Sequence, residues 1–384
     1  MSHAILSPSS AHRWIECNPS ARLEENYPDT SSAAADEGTL AHSLGELILR
    51  RYTHDISQIE FDYLFEAIRK SIYYNEDMLV HAEDYAAYVI SFFEQAKTKT
   101  PDALLIIEAK LNMSKWVPDG FGTGDALIIA DGTLHIIDLK FGKGVRVSCE
   151  NNKQMMLYAL GALEEYSLMY ALDTVRMTIY QPRLCNVSNY EMSTVDLEKW
   201  ADEELKPAAQ RAFNGEGEFK PGDHCRFCKV RQQCKALYEE QMKITMYNFK
   251  DSYLLADDEI ADILNRADDF KKWISAIEEY ALLAAINDGK RWPGYKLVEG
   301  RSIRTYADQQ AVADALRQAG YTDDSIFTRS LLGITAMEKL LSKKTFEAML
   351  SPLVIKPAGK PTLAPVDDKR PEYNSTESAK SDFQ

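Results

Sequence analysis

The sequence of 384 residues predicts an α/β fold: a mixed sheet flanked by helices, followed by a mostly helical C-terminal extension. Three observations carry that prediction. Short apolar runs at Leu104–Ala109, Ala126–Ala130 and Leu134–Ile137 are bounded by Gly, Pro and Asp, which is the length and punctuation of buried strands. The segments around them carry apolar residues at three- and four-residue steps, the helical period. From Asp257 onward the strand-like runs give way to helical spacing.

Taken in order, a short helix follows Ser9-Ser10 and runs through Trp14 towards Cys17. A longer helix begins near Glu37 with Leu44, Leu47 and Ile48 on one face, and Ile59 to Lys97 reads as mostly helical. The three strands come next, then a helix from about Asn152 to Tyr166 and a strand near Val175–Tyr180. A helical stretch near Asp196–Phe213 leads to a cysteine cluster at Cys225–Cys234. Asp257–Asn287 is a long amphipathic helix, and further helices are expected near Ala307–Ala319 and Ala336–Leu350. From Lys356 the chain is rich in Pro, Ser, Thr, Asp and Lys, the composition of a flexible tail. The expected domains are therefore 1–240, 241–355 and a tail at 356–384.

Hydrophobic residues make up 45% and charged residues 27%, which excludes global disorder and collagen-like repeats. No apolar run approaches the roughly 20 residues needed to span a bilayer. The start at Met1-Ser2-His3-Ala4 lacks the basic and apolar stretches of a signal peptide, so a cytoplasmic protein with no membrane partner is expected. A net charge of −15 argues against a nonspecific coat on nucleic acid. That surplus is uneven, however: Pro101–Leu160 holds six Lys or Arg against seven acids. Six cysteines in such a chain favour metal or cluster binding over a disulfide framework.

The most informative stretch runs from Gly124 to Lys140. Asp131-Gly132 between two apolar runs signals a two-residue hairpin. With that turn Ala130 faces Thr133, Ile129 faces Leu134 and Leu127 faces Ile136. Continuing the register sets Asp125 opposite Asp138, with Cβ atoms roughly 4.5–5.5 Å apart. Lys140 projects from the same face. Two facing carboxylates repel one another and call for a cation between them. Hard oxygen ligands in this arrangement suit Mg²⁺ or Mn²⁺, which can hold a phosphate and activate a water. The rival arrangement is two solvated strand ends with Lys140 paired to one of them. Glu108 adds either a third carboxylate acting through water or a plain strand-end charge.

His224-Cys225-Arg226-Phe227-Cys228 and Cys234 form a C-x₂-C-x₅-C array that needs a fourth ligand, and Cys17 is the candidate. Four thiolates suit Zn²⁺ or an iron–sulfur cluster alike. Cys149 and Cys185 have no partner spacing. Gln154 and Tyr158, four apart on a helix, share one face and are placed to hold a nucleic-acid strand. In the C-terminal third, Arg291 and Lys296 flank Trp292 and Tyr295, with Arg301, Arg304 and Tyr306 beyond. Cations bind phosphates and rings stack on bases, so this segment reads as a single-strand path or as a solvated hairpin.

Together these pieces resemble the RecB-like branch of the PD-(D/E)XK nucleases, in the subgroup with a four-cysteine iron–sulfur cluster. AddB subunits and the CRISPR-associated adaptation nucleases belong to it. Gly38-Thr39-x-x-His42 looks like the early-helix histidine motif, Gly124-Asp125 like the second-motif aspartate, and Asp138-Leu139-Lys140 like the D-x-K element. Gln154-x-x-x-Tyr158 looks like the Q-x-x-x-Y motif, and Leu6-Ser7-Pro8 through Cys17 like the start of such domains. The resemblance covers residues 5 to 236 and is similar to phage-encoded members of the branch. Asn18 stands between Cys17 and Pro19, where the family more often has proline directly after cysteine.

The resemblance implies a stand-alone Mg²⁺- or Mn²⁺-dependent deoxyribonuclease acting on DNA ends or single-stranded DNA in recombination, replication or repair. His42, Asp125, Asp138 and the Leu139 carbonyl would hold the metal, with Lys140 as catalytic lysine. A 4Fe–4S cluster on Cys17, Cys225, Cys228 and Cys234 is favoured over Zn²⁺ by the match in order and spacing. A recombinase or single-strand-binding protein is the partner expected by analogy. The reading from another class is a non-catalytic DNA-binding or scaffold subunit that uses the metal centre for shape.

Overall fold

A computed structural model gives the fold, and the described residues are 4–27, 32–243, 256–298, 308–320, 322–327, 332–341 and 343–354. The chain divides into two compact units, Met1–Tyr280 and Ala281–Gln384. The first is a mixed α/β unit built on a five-stranded sheet in the order β1-β2-β3-β4-β5. Its strands are β1 (Leu104–Asn112), β2 (Phe121–Ala130), β3 (Thr133–Leu139), β4 (Thr174–Gln181) and β5 (Asn186–Ser193). β1, β2 and β3 form an antiparallel meander, β3 and β4 are parallel, and β5 returns antiparallel.

The short helices α1 (Ala11–Glu16) and α2 (Ser20–Glu24) open the chain, and α3 (Ala33–Tyr52) follows. α3 starts at Ala33, earlier than the Glu37 expected from periodicity, because the Ser32 side chain caps it by accepting the N–H of Ala35. Its first turn is exposed, so apolar spacing carries no trace of it. Ser57 and Asn75 cap α4 (Gln58–Arg69) and α5 (Glu76–Lys99) in the same way. α5 turns Met78, Ala82, Tyr85, Ala86, Val89 and Phe93 inward. The parallel step from β3 to β4 passes through α6 (Lys153–Tyr166), capped by Asn152. Gly161 lets α6 lie directly on β1, since a Cβ there would meet Leu111 Cβ at 2.9 Å.

The hairpin register is the expected one, with Ala130 opposite Thr133, Ile129 opposite Leu134 and Leu127 opposite Ile136. Gly132 supplies the turn's positive φ of 78°. β5 has no counterpart among the strands expected from the sequence. It is a half-exposed edge strand of mostly polar residues, entered through Cys185 at φ 46°, and lacks the apolar run that marks buried strands.

Two helical layers cover the sheet. α6 packs on one face with Leu127, Ile129, Leu134 and Ile136. α3 and α5 cover the other with Ala126, Ile128, Ile137 and Leu139. Side-chain alternation inverts in mid-sheet on the two strands that carry the candidate acids. On β1, Leu105 and Ile107 face the α3/α5 layer, yet beyond Glu108 it is Ala109 and Leu111 that face α6. On β2, Gly122 and Gly124 look onto Tyr158, Leu111 and Leu127, whereas Ala126 faces the opposite layer. Between them the ladder passes from Ile107–Ala126 to Ala109–Gly124 and skips the Glu108–Asp125 pair. Glu108 sits at φ 51°, the left-handed region that side chains other than glycine seldom adopt. This kink turns Glu108 and Asp125 out of the regular pleat.

After β5 come α7 (Thr194–Trp200), a π turn at Ala201–Leu205, and α8 (Lys206–Asn214), a continuous stretch closed by Gly215 at φ 72°. α9 (Lys235–Gln241) follows the cysteine segment, and α10 (Asp257–Asn287) is the long helix expected from the sequence. In the second unit lie α11 (Gln309–Gln318), α12 (Asp323–Ile326), α13 (Ile334–Leu341) and α14 (Lys343–Leu350). α13 and α14 cover the span in which a helix is expected over Ala336–Leu350, and residue 342 between them lies outside the described residues. Among the described residues no helix is long and apolar enough to cross a membrane. The tail expected from residue 356 lies outside the described residues.

Candidate functional site

Side chains from α3, β2, β3 and α6 converge at one end of the sheet. His42 Nδ1 lies 3.0 Å from Asp125 Oδ1. Asp125 Oδ2 accepts the N–H of Leu139 at 2.7 Å, so the β2–β3 ladder stops at Ala126–Ile137, one pair short of Asp125–Asp138. Lys140 Nζ stands 3.0 Å from Asp138 Oδ2 and donates to Gln154 Oε1 at 3.0 Å. Gln154 Nε2 donates to the Tyr158 hydroxyl at 3.0 Å and reaches Asp138 Oδ1 at 3.4 Å.

The charges are balanced inside this group. Burial disfavours the Asp138 carboxylate; Lys140 opposes that, Asp125 adds to it, and the result lies above the usual range. Burial acts on Asp125 in the same sense, but His42, the Leu139 N–H and Lys140 outweigh it and keep Asp125 ionised. Burial pushes the His42 imidazole down, yet Asp125 and then Asp138 lift it to about 9. Lys140 is desolvated, and Asp138 and Asp125 still hold it above the ordinary lysine value. Glu108 is pushed up to about 7 by burial, then by Asp125 and Glu46. Lys140 does pair with Asp138, as the rival arrangement supposes, but Asp138 is only 2% exposed, so it is no solvated strand end.

Among the described residues no three His, Cys, Asp or Glu side chains are drawn into the spacing of a formed metal shell. The donor set nevertheless fits a hard divalent cation, with two carboxylates and one imidazole on separate elements. Asp138 Oδ2 is buried and, although ion-paired with Lys140, accepts no aligned hydrogen bond, which leaves lone-pair capacity facing the site. At Leu139 the contact made is its N–H on Asp125.

Of the residues expected to hold DNA, Gln154 and Tyr158 do share a helix face, but the hydrogen bonds described for them run to Lys140, to Asp138 and to each other. Tyr158 is 7% exposed. Arg291 and Lys296 are exposed in the second unit. Arg301 and Arg304 lie outside the described residues, as does Tyr306.

The cysteines form a second cluster in the first unit. Cys17 follows α1, while Cys225, Cys228 and Cys234 come from the turn-rich segment before α9, and all four line one cavity. Burial raises the Cys17, Cys225 and Cys228 thiols, the last to about 12. Backbone N–H groups of Lys220, Gly222 and Val230 respectively work against that rise by favouring the thiolates. Four cysteines lining one cavity, three of them with N–H support, have the donor chemistry of a zinc or iron–sulfur site. Cys149 is fully buried elsewhere and pushed up to about 12 by burial, and Cys185 is exposed in a turn.

Two residues here have no sequence signature. Arg13 and Glu24 form a buried ion pair; Arg13 Nη1 donates to the Phe227 carbonyl at 3.0 Å, and Glu24 Oε1 accepts the Lys229 N–H at 2.7 Å. Neither belongs to a repeat, a metal-ligand spacing or an apolar stripe, so only three-dimensional proximity reveals them.

Comparison with known proteins returns solved structures and a family. The crystal structure of SSO0001 aligns at 14% identity over 57% of this chain and 95% of that one, with a TM-score of 0.22. A match that loose carries no argument. The family model described as "Protein of unknown function (DUF2800)" matches residues 3–371, nearly the whole chain, and the protein is therefore a member of the DUF2800 family.

Proposed function

We propose that this protein is a metal-dependent DNA nuclease of the RecB-like PD-(D/E)XK kind, hydrolysing phosphodiester bonds at DNA ends or in single-stranded DNA. The observation that carries the reading is the convergence of His42, Asp125, Asp138, Lys140 and Gln154 from four separate elements onto one half-buried point. The helix, three-strand meander, helix and parallel fourth strand provide the framework that such a site needs.

His42, Asp125 and Asp138 would hold Mg²⁺ or Mn²⁺, with Glu108 beside them. The bound ion would supply an activated water and charge neutralisation at the scissile phosphate. Lys140 stays protonated in this setting and presents its ammonium where negative charge builds on the phosphate. Gln154 keeps that ammonium in place by accepting one of its protons, and Tyr158 holds Gln154 in the required amide orientation. The Leu139 N–H fixes Asp125 so that its Oδ1 faces His42. Exposed Arg291 and Lys296 would bind substrate phosphates.

For the four cysteines we propose a 4Fe–4S cluster, with Zn²⁺ as the alternative. Iron, sulfide and zinc analysis of anaerobically purified protein separates the two. The nuclease itself is tested on end-labelled single- and double-stranded DNA with Mn²⁺ or Mg²⁺, comparing the protein with its Asp138→Ala variant. Cleavage abolished in the variant is the expected result, and full activity there would refute the site. A folded protein that binds DNA and cleaves none in either form would instead be a DNA-binding scaffold.

A further inference from the structure

We infer that the Arg13–Glu24 ion pair is a positioning device that assembles the four-cysteine clamp ahead of metal binding. The inference rests on the reading of the four cysteines as one metal centre. Cys225, Cys228 and Cys234 are close in sequence, but Cys17 lies some two hundred residues earlier. Bringing a distant ligand to the other three carries a loop-closure entropy that must be met either by the metal or by protein contacts. The contacts at this place are specific to the ligands.

Arg13 touches both halves of the clamp. Its own carbonyl accepts the N–H of Cys17 at 2.8 Å. Its guanidinium donates to the Phe227 carbonyl at 3.0 Å and to Glu24. Glu24 in turn accepts the N–H of Lys229 at 2.7 Å. The pair therefore grips the peptide groups on either side of Cys228, the carbonyl before it and the amide after it. Ser20, in the same helix as Glu24, accounts for the other side: its N–H and hydroxyl both donate to the Cys17 carbonyl, at 3.0 and 2.6 Å. The Arg13 and Glu24 side chains are 12% and 7% exposed. An ion pair so dry gives little net stability, and geometric specificity is its best-attested use.

Two other arginines brace the same N-terminal segment; Arg211 reaches Asn18, the neighbour of Cys17, whereas the bonds described for Arg22 reach no residue beside a cysteine. Arg22 Nε donates to the Phe213 carbonyl at 2.5 Å, and Arg211 Nε donates to Asn18 Oδ1 at 3.0 Å. Arg22 supplies the control that separates ligand positioning from general bracing.

The test uses the full-length chain as wild type, Arg13→Gln, Arg13→Lys, Glu24→Gln and Arg22→Gln. In reduced, metal-stripped protein, a short bis-maleimide reports how often Cys17 meets the other three cysteines, read by peptide mass spectrometry. Co²⁺ titration, followed through the thiolate-to-metal charge-transfer band, reports affinity. Arg13→Gln and Glu24→Gln are expected to weaken Co²⁺ binding about 10–100-fold, the usual effect of losing an outer-shell partner. They should also slow Cys17 cross-linking. Arg13→Lys should recover part of both, and Arg22→Gln should change neither at a comparable shift in thermal midpoint. Wild-type cross-linking and Co²⁺ affinity in Arg13→Gln and Glu24→Gln would overturn the inference. So would equal losses in Arg22→Gln. A wild-type protein that develops no cobalt–thiolate band removes the four-cysteine reading, while the cross-linking comparison still decides whether the ion pair assembles the clamp.

Discussion

Proton release on Mn²⁺ binding is the sharpest test of the carboxylate site. Burial alone would depress the His42 imidazole, but Asp125 and Asp138 hold it at about 9. At pH 7 the ring is therefore protonated in the stripped protein, with its Nδ1 facing Asp125 Oδ1 at 3.0 Å. A metal-ligating imidazole must be neutral, so binding displaces that proton. Two pH units below the group's pKa, displacement lowers apparent affinity about 100-fold, or about 2.7 kcal/mol. The logarithm of the Mn²⁺ affinity should rise by about one per pH unit from pH 7 and flatten near 9. Calorimetry in two buffers of different ionisation heat should show about one proton released per Mn²⁺ near neutral pH. His42→Ala should lower affinity and abolish the slope. Folding responds in the opposite sense. The His42 pKa is raised on folding from 6.5, so its pairing stabilises the stripped protein fully below that pH and is lost as pH rises through about 9. A pH-independent Mn²⁺ affinity between 7 and 9, or binding without proton release, would refute the assignment of His42 as a ligand.

Particular contacts set three more expected outcomes. Lys140→Ala should lower kcat for DNA cleavage by about 10²–10³-fold, the effect of removing one preorganised charge donor. Gly161→Ala should destabilise the fold by about 1–3 kcal/mol in urea titration despite alanine's higher helix propensity. The added methyl would meet Leu111 Cβ, an atom tied to the β1 backbone and unable to rotate away. His135 is depressed to about 3 by burial and by Arg176, so it adds stability above pH 6.5 that fades as pH falls towards 3. Unfolding measured across that window should show a shallower acid loss in His135→Gln.

The hairpin is legible because its turn dipeptide and its apolar alternation agree, and register then follows from counting. That counting alone places Asp125, Asp138 and Lys140 together, independently of any family resemblance. It fails one residue further on. Counting predicts Asp125 and Asp138 as a facing pair in a regular ladder, whereas Asp125 leaves the ladder and caps the N–H of Leu139. Nothing local announces that Glu108 adopts a left-handed φ, since the residue type argues against it. β5 escapes for a different reason: an edge strand needs backbone pairing more than apolar side chains, and its Asn, Ser and Glu residues look like a loop. The Arg13–Glu24 pair escapes because ion pairs between distant segments leave no periodicity.

The kink at Glu108 links these observations to function and can be tested by itself. A left-handed residue with a Cβ is strained by about 1–2 kcal/mol, and glycine removes that strain. The Glu108 carboxyl is also crowded, pushed up to about 7 by burial, then by the Asp125 and Glu46 charges. Glu108→Gly should therefore raise stability by about 1 kcal/mol, because it keeps the inversion of the sheet faces while relieving both strain and repulsion. Glu108→Gln keeps the strain and removes only the charge, so it isolates the second contribution. If the carboxylate assists the metal through water, both variants lose Mn²⁺ affinity, and the glycine variant does so while becoming more stable. A Glu108→Gly protein that is less stable in urea than wild type would show that the side chain, rather than the backbone turn, holds β1 and β2 in their inverted side-chain alternation. The backbone kink would then no longer account for Asp125 reaching His42 on one side and Leu139 on the other.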